Sequence, residues 1–206
     1  MIKGTPELIA ERRETIINAC EELYREKSFK DITLKDIADA VPFSRPTIYN
    51  YFETKEEIFL ALYKREYDLW NADLEKILEK DYSSHEELSD SISRSLEGRR
   101  LLLRLLSVNN YDMEANSREE MLIYFKKSYG RSLILFADIL RKNCSHLTED
   151  EIKDRVYMFF PFMFGIYPYT SATEKQKKAM AEAGVVFRYQ TVYELCFRFL
   201  VKLFSL

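Results

Sequence analysis

Apolar residues recur every three or four positions through most of the chain, and no segment alternates for long as a β-strand does. The clearest case follows Thr5 and Pro6, an N-cap and a first-turn proline, where Ile9, Ile16 and Cys20 share one helical face. Only five glycines and five prolines interrupt the pattern. The sequence therefore predicts an all-α protein.

Side chains able to cap a helix mark where the further helices are expected to begin. The first helix is expected to end near Ser28. The predicted N-caps are Thr33, Ser44, Thr54, Ser84, Ser117 and Thr148. Thr54 and Thr148 are each followed three residues later by a glutamate, Glu57 and Glu151, which predicts a reciprocal capping box at both helix starts.

Three segments of the second half are assigned from their composition. Residues 109–117, NNYDMEANS, are predicted to form a loop, and residues 170–184 a polar connection with some helix. Residues 185–206 are apolar around most of a helical circumference and are predicted to form the final helix. That apolar surface exceeds what one core covers, which favours packing against a second copy of the chain.

Composition limits the class of protein. The 206 residues are 47% hydrophobic and carry a net charge of −3, so any site for a polyanion must be local. The N-terminus lacks the apolar run of a signal peptide, and we expect a cytoplasmic protein. The strongly apolar run Tyr157–Tyr169 is too short to cross a bilayer, so no membrane partner is expected.

Catalytic and metal-binding signals are weak. Cys20, Cys144 and Cys196 lie far apart and are odd in number, and with His85 and His146 they form no metal-ligand spacing. The chain has no Gly-rich phosphate loop and no nucleophile motif. We therefore expect no enzyme activity, no catalytic residues, no metal and no cofactor.

Two short helices near the N-terminus carry the informative motif. Residues 34–40 and 45–51 are joined by VPFS and follow a longer helix, which is helix-turn-helix geometry. A small core is expected from Ile37, Ala38, Phe43, Ile48 and Phe52. The proline of the second short helix falls in its first turn, where the missing N–H costs no intrahelical hydrogen bond.

At this point the sequence resembles the TetR-type bacterial regulators over about residues 7–62. The residues that carry the resemblance are Thr33, Ile37, Ala38, Ser44, Tyr49, Asn50, Tyr51, Phe52, Lys55 and Glu56. The resemblance implies a three-helix DNA-binding domain, residues 1–53, followed by a larger helical ligand-binding and dimerisation domain, residues 54–206. It also implies a homodimer that represses transcription from a pseudo-palindromic double-stranded DNA operator. The chain departs from the family at Pro42, where glycine is common, which leaves the tilt of the second short helix open.

The resemblance places the exposed residues of the motif against DNA. They are Thr33, Lys35, Ser44, Arg45, Pro46, Thr47, Tyr49, Asn50, Tyr51 and Lys55. The Arg45 guanidinium can pair with a guanine edge or with a phosphate. Lys55, in the first turn of the fourth helix, can bind a phosphate together with the free backbone amides of that turn. An equally good interpretation of Lys35 is a solvated surface charge that makes no contact with DNA. Tyr49 and Tyr51 are two positions apart and cannot share one face, so at least one of them is expected to pack inside the domain.

The larger part of the chain is expected to bind a small hydrophobic or aromatic ligand that releases the operator. Candidate pocket residues are Trp70, Leu103, Tyr111, Tyr124, Phe125, Tyr129 and Phe136, although such stripes also occur in ordinary cores. Candidate dimer-interface residues are Val156, Phe160, Phe164, Tyr189, Tyr193, Cys196, Phe197 and Leu200. The alternative is a dimeric DNA-binding regulator without a ligand, controlled by a protein partner or by its abundance.

Overall fold

The computed structural model describes residues 5–108 and 110–205, and within these ranges every regular element is a helix. A short 3₁₀ turn at Phe29–Asp31 lies between the first two helices. The α-helices are α1 Pro6–Glu26, α2 Leu34–Asp39, α3 Arg45–Ile48, α4 Lys55–Glu79, α5 His85–Glu97, α6 Arg100–Leu106, α7 Asn110–Ala115, α8 Glu119–Asn143, α9 Glu149–Thr170, α10 Glu174–Glu182 and α11 Val192–Ser205. The all-α prediction is confirmed.

The helix starts at Thr5, Thr33, Ser84 and Thr148 form as their side chains indicate, and Ser84 Oγ accepts from the Glu87 amide at 3.2 Å. Thr5 Oγ1 accepts a hydrogen bond from the Leu8 amide at 3.3 Å. Thr33 caps α2 in a reciprocal capping box. Thr148 and Glu151 do the same for α9, with backbone-to-side-chain distances of 2.8 and 3.3 Å. Each cap supplies partners for backbone amides that have none within their own helix.

The predicted loop at residues 109–117 is wrong, because α7 occupies most of it. Met113 is buried and anchors this short helix. The side chains of Asn116 and Ser117 then turn back to the carbonyls of Asp112 and Met113, at 2.8 and 2.7 Å. Ser117 therefore ends α7 and does not cap α8. Residues 109–117 contain few apolar residues among many polar ones, so their hydrophobic spacing did not indicate a helix.

The final helix begins at Val192 and not at residue 185. Thr191 and Glu194 form a capping box, with the Thr191 amide 2.9 Å from the Glu194 carboxylate and the Glu194 amide 3.1 Å from Thr191 Oγ1. Gly184, at φ +68°, follows the end of α10 in the left-handed conformation that glycine adopts without strain. The intervening residues connect the two helices without forming one.

The chain forms two compact units, and α4 and α8 each contribute to both. The first comprises the chain up to Arg65 together with Val108–Lys127, and the second comprises Glu66–Ser107 and the chain from Ser128 onward. The domain boundary predicted between residues 53 and 54 stays a prediction. The two compact units divide within α4, between Arg65 and Glu66.

Aromatic rings fill the core of the second unit. Phe136 stacks on Phe159 with ring centroids 4.3 Å apart, and both rings meet Phe160 edge-on. Trp70 lies 6.4 Å from Phe159 and 6.0 Å from Phe160. These four side chains are almost completely shielded from solvent. Offset and edge-to-face ring pairs add to the stability that burial of such large side chains supplies.

Candidate nucleic-acid interface

The helix-turn-helix is held on α1 by a small apolar core. Ile16 of α1, Ile37 of α2 and Ile48 of α3 are each fully buried, and so is Phe52 just beyond α3. The predicted core is thus present, although Phe43 is only half-buried. Because α2 and α3 are too short to be stable alone, this shared core fixes their orientation.

The turn between α2 and α3 is made without a left-handed residue. Among the described residues only Gly184 has a positive φ, so residues 40–44 turn with ordinary backbone angles. Pro42 is exposed at this turn. The glycine that the family commonly carries here is therefore not required by this backbone, because no positive φ has to be adopted.

The recognition helix α3 is a single helical turn that continues as hydrogen-bonded turns through Tyr51. The amides of Asn50 and Tyr51 bond to the carbonyls of Thr47 and Ile48 at 3.2 and 2.8 Å. Ser44 stands at the N-cap, but its hydroxyl pairs with the Thr47 hydroxyl at 3.0 Å and caps no amide. The prediction that the Ser44 side chain caps backbone amides is therefore wrong.

Arg45, Tyr49 and Asn50 form the exposed face of this segment. Arg45 Nη2 donates to the Tyr49 hydroxyl at 3.2 Å, one helical turn away. The Tyr49 side chain is 47% exposed, and Thr47 beside it is half-buried. Ser44 and Pro46 are exposed at the start of the same helix. The face offers guanidinium, amide and hydroxyl donors, which suit base edges and phosphate oxygens.

Tyr51 faces the opposite way and is buried. Its exposed fraction is 2%, and its hydroxyl accepts from Arg12 Nη1 at 3.5 Å. Its backbone carbonyl accepts from Arg13 and Arg118, each at 3.5 Å. Tyr49 and Tyr51 thus divide between surface and interior, as their spacing requires. The Tyr51 ring acts in this structure as part of the core.

The remaining predicted DNA contacts flank the recognition helix. Lys35 is exposed on α2, and Thr33 is exposed while its hydroxyl caps that helix. Lys55 Nζ donates to the carbonyls of Phe29 and Ile32 at 2.9 and 2.8 Å and lies 4.5 Å from the Phe29 ring centre. The Lys55 ammonium therefore ties the start of α4 to the 3₁₀ turn in this structure.

A buried ion pair lies next to this segment, and the sequence did not reveal it. The Glu57 side chain is fully buried, and Arg118 donates to it from Nε at 2.7 Å, Nη2 at 2.8 Å and the backbone amide at 3.1 Å. Glu57 also accepts from the Glu53 amide at 2.8 Å, whereas the Thr54 side chain accepts from the Glu57 amide. The predicted capping box at Thr54 is thus only half present, because the return hydrogen bond to Glu57 comes from the Glu53 amide, one residue before Thr54.

The electrostatics of Glu57 reflect two opposed effects. Burial alone raises the pKa of a carboxyl group, but the hydrogen bonds from Arg118 and from two backbone amides outweigh it and hold the pKa of Glu57 below its usual value. The same carboxylate raises the pKa of the Arg118 guanidinium. Glu57 is therefore charged in the folded protein at neutral pH. The pair joins the first turn of α4 to the residue before α8.

The predicted pocket residues separate into different environments. In the first unit, Tyr111 is 87% exposed, Phe125 stacks on Tyr63 at 4.9 Å, and Tyr124 lies beneath the Lys64 ammonium. In the second unit, Trp70, Leu103 and Phe136 are fully buried, and Tyr129 packs against Tyr67 and Phe160. Those of the second unit are packed against other side chains as a core.

The predicted interface residues also separate by exposure. Val156, Phe160, Cys196 and Leu200 are buried within the single chain. Phe164 and Tyr189 are 39% and 49% exposed, and Tyr193 and Phe197 are half-buried and stacked on each other at 5.6 Å. Only the second set offers substantial surface to another molecule.

Membrane spans and metal clusters are two further classes of feature that the described ranges lack. No helix in those ranges is long and apolar enough to cross a membrane. No group of three or more His, Cys, Asp or Glu side chains in the same ranges is arranged to hold a metal ion.

A helical bundle that carries an N-terminal helix-turn-helix with an exposed polar recognition face defines a DNA-binding regulator. Residues 16–62 match the family described as bacterial regulatory proteins, tetR family, and residues 64–191 match the tetracyclin repressor-like C-terminal domain. The chain belongs to the TetR family, whose members are transcription regulators that bind DNA operators.

Relatives and solved structures agree with that family. The uncharacterized HTH-type transcriptional regulator YfiR of Bacillus subtilis is 28% identical over 142 residues, 68% of this chain and 69% of that protein. The fatty acid degradation regulator FadR from Bacillus halodurans has a TM-score of 0.63 at 14% identity, covering 98% of this chain and 97% of that one. FadR from Bacillus subtilis in complex with stearoyl-CoA gives 0.61 at 18% identity, covering 93% and 97%. These two structures show a shared fold.

Proposed function

We propose that the protein is a homodimeric transcriptional repressor that leaves a pseudo-palindromic operator when it binds a long-chain acyl-CoA. The observation that carries the DNA-binding part is the exposed face of Arg45, Tyr49 and Asn50 on α3. The chain carries a net charge of −3, so attraction to DNA is local and weak for a single copy. Two copies presenting the face to two half-sites supply the missing affinity.

Arg45 and Tyr49 are proposed to carry most of the affinity of each copy. Arg45 pairs with a guanine edge or a phosphate, and the Tyr49 hydroxyl with a phosphate. In the free protein the two side chains bond to each other, so both are already oriented on the same face. Lys35, Thr47 and Asn50 are proposed to add contacts at its borders.

The double substitution Arg45→Ala plus Tyr49→Ala is expected to abolish binding to DNA from upstream of the protein's own gene. Removing the hydrogen bonds of one such side chain to DNA costs about 1–3 kcal/mol, and neither side chain contributes to the core. Fluorescence anisotropy with labelled duplex at about 50 mM salt measures the loss, and circular dichroism checks that the helices remain. The variant Arg188→Ala removes an exposed cation from the second unit and is expected to bind normally. Undiminished binding by the double variant refutes this assignment of the recognition face.

The dimer is proposed to form through the exposed apolar stripe of α9 together with α11, in a four-helix interface. Tyr157, Pro161, Phe164 and Pro168 lie at i, i+4, i+7 and i+11 and are all exposed. Tyr193 and Phe197 extend apolar surface along α11. A continuous apolar stripe of this kind is typical of a surface that a partner covers.

The substitution Phe164→Glu is expected to convert the dimer to monomers, because it inserts a charge into an interface that must exclude water. Sedimentation velocity over a concentration series measures the shift, and operator affinity is expected to fall with it. The variant Val186→Glu, at a fully exposed apolar position outside any helix, serves as the control. An unchanged dimer in Phe164→Glu rules out this stripe as the interface.

The acyl-CoA ligand is proposed from the similarity to FadR from Bacillus subtilis, whose structure holds stearoyl-CoA. The aromatic core of the second unit supplies an apolar environment for an acyl chain. A second candidate function keeps dimeric operator binding without a ligand, under control of a protein partner or of abundance. The close packing of Trp70, Phe136 and Phe159 favours it, because rings in contact leave no preformed space for a ligand between them. Operator DNA that stays bound at saturating stearoyl-CoA would select this second function.

A further inference from the structure

An open groove of about 450 Å³ lies in the second unit, between the C-terminal half of α4 and the junction of α5 with α6. Its size is within the usual range for small-molecule sites. Its lining residues are Asp73, Lys76, Ile77, Lys80, Ser91, Arg94, Ser95, Gly98 and Arg99. Only Ile77 among them is a large apolar residue, and most of the other side chains end in a charged or hydroxyl group.

The groove carries an excess of positive charge in a chain that is acidic overall, although three of its cations lie in ion pairs. Four cationic side chains and one carboxylate line it, against a net charge of −3 for the whole chain. Arg99 bonds to Asp73 at 2.7 Å, which fixes the guanidinium at the wall, and Arg94 is paired with Asp90 at 2.9 Å. Lys76 Nζ is 3.9 Å from Asp73, and Lys80 is exposed at the end of the groove.

The floor of the groove is joined directly to the aromatic core. Ser95 Oγ accepts from the Trp70 indole N–H at 3.1 Å and donates to the Ile92 carbonyl at 2.7 Å. Trp70 in turn contacts Phe159 and Phe160. A single layer of side chains therefore separates a cationic surface groove from the most apolar part of the unit.

We infer that this groove binds the phosphate-bearing head of a coenzyme A thioester, with the acyl chain directed toward the Trp70 side of the floor. The inference rests on the proposed function, which supplies the ligand class. A fatty acid carboxylate carries one charge and is matched by one arginine, whereas the diphosphate and ribose phosphate of coenzyme A match several cations. Lys76 and Lys80 act as point charges for phosphate, and Arg94 and Arg99 supply planar donors.

Titration calorimetry with stearoyl-CoA on the full-length protein tests the assignment. The double variant Lys76→Ala plus Lys80→Ala is expected to bind stearoyl-CoA at least about tenfold more weakly than the wild-type protein, and the wild-type affinity is expected to fall with rising salt. Both lysines are exposed, so the fold should be retained, and thermal unfolding without ligand checks this. The variant Lys175→Ala plus Lys178→Ala removes two exposed cations from α10 and is expected to bind as the wild type does. Lys76→Arg plus Lys80→Arg is expected to retain most of the affinity.

Two outcomes separate this inference from the proposed function. If stearoyl-CoA binds the wild type and the Lys76→Ala plus Lys80→Ala variant equally, the groove assignment is overturned while the acyl-CoA ligand stands. If stearoyl-CoA fails to bind the wild-type protein at all, the proposed ligand class falls and this inference falls with it. Competition by free coenzyme A in the wild type, absent in the double variant, would confirm that the head group occupies the groove.

Discussion

The substitution Glu57→Ala is expected to lower the free energy of unfolding by about 3 kcal/mol. Removing one partner of a buried ion pair typically costs about 3–5 kcal/mol, because the other charge loses its compensation. The lower end applies here, since the Arg118 side chain is 36% exposed and keeps ion pairs with Glu53 and Glu120 at 3.5 and 3.1 Å. The backbone amides of Glu53 and Arg118 lose their acceptor as well. Urea unfolding followed by circular dichroism at neutral pH measures the change.

The matched control is Glu56→Ala, one residue earlier in the same helical turn. Glu56 is half-buried and belongs to the same first turn of α4, so this variant controls for the loss of a first-turn carboxylate. We expect it to change stability by less than about 0.5 kcal/mol. Equal losses in the two variants would show that the ion pair with Arg118 contributes nothing specific.

The same pair predicts how stability depends on pH. Glu57 has a lowered pKa in the folded state, so its contribution is present above the unfolded value of about 4.3 and is lost as the pH falls through the folded pKa. The variant Glu57→Gln cannot ionise and is expected to show a shallower loss of stability below about pH 4.3 than the wild type. A wild-type profile that matches Glu57→Gln in this range would contradict an ionised Glu57 in the folded state.

Local signals in the sequence predicted the helix-turn-helix well. The caps at Thr33 and Thr148 and the first-turn proline at position 46 act within three or four residues, so the sequence contains all the information they need. The same holds for the split between Tyr49 and Tyr51, which follows from helical geometry alone. The α7 error arose because its few apolar residues gave no helical spacing and Ser117, predicted as an N-cap, instead bonds back to the Met113 carbonyl. The error at the start of α11 arose because hydrophobic content was judged there without regard to the capping box at Thr191.

Contacts between distant parts of the chain were not predictable in this way. Glu57 was predicted only as a capping residue, because its partner Arg118 lies 61 residues further along the chain. Lys55 was assigned to phosphate, yet its ammonium binds carbonyls 26 and 23 residues earlier. A single sequence gives the type of each side chain but not which long-range partner packing brings to it. For the same reason, aromatic spacing at Trp70 did not distinguish a core from a ligand pocket.

The substitution Phe136→Ala is expected to lower the free energy of unfolding by about 3–5 kcal/mol, the range for deleting a large buried ring. Phe136 is fully buried, stacks on Phe159 at 4.3 Å and meets Phe160 edge-on, so its removal leaves a cavity that neighbouring rings cannot fill. Urea unfolding without ligand measures the loss.

The variant Ile134→Ala provides the matched control, because this apolar residue lies two positions earlier on α8 and is 62% exposed. We expect it to cost less than about 0.5 kcal/mol. A loss below about 1 kcal/mol for Phe136→Ala would contradict close packing at this position, because deleting a ring that lines an open chamber removes little dispersion attraction. That result would favour a preformed ligand cavity at Phe136. The expected large loss instead means that the acyl chain of the proposed ligand would have to displace packed rings to enter this core.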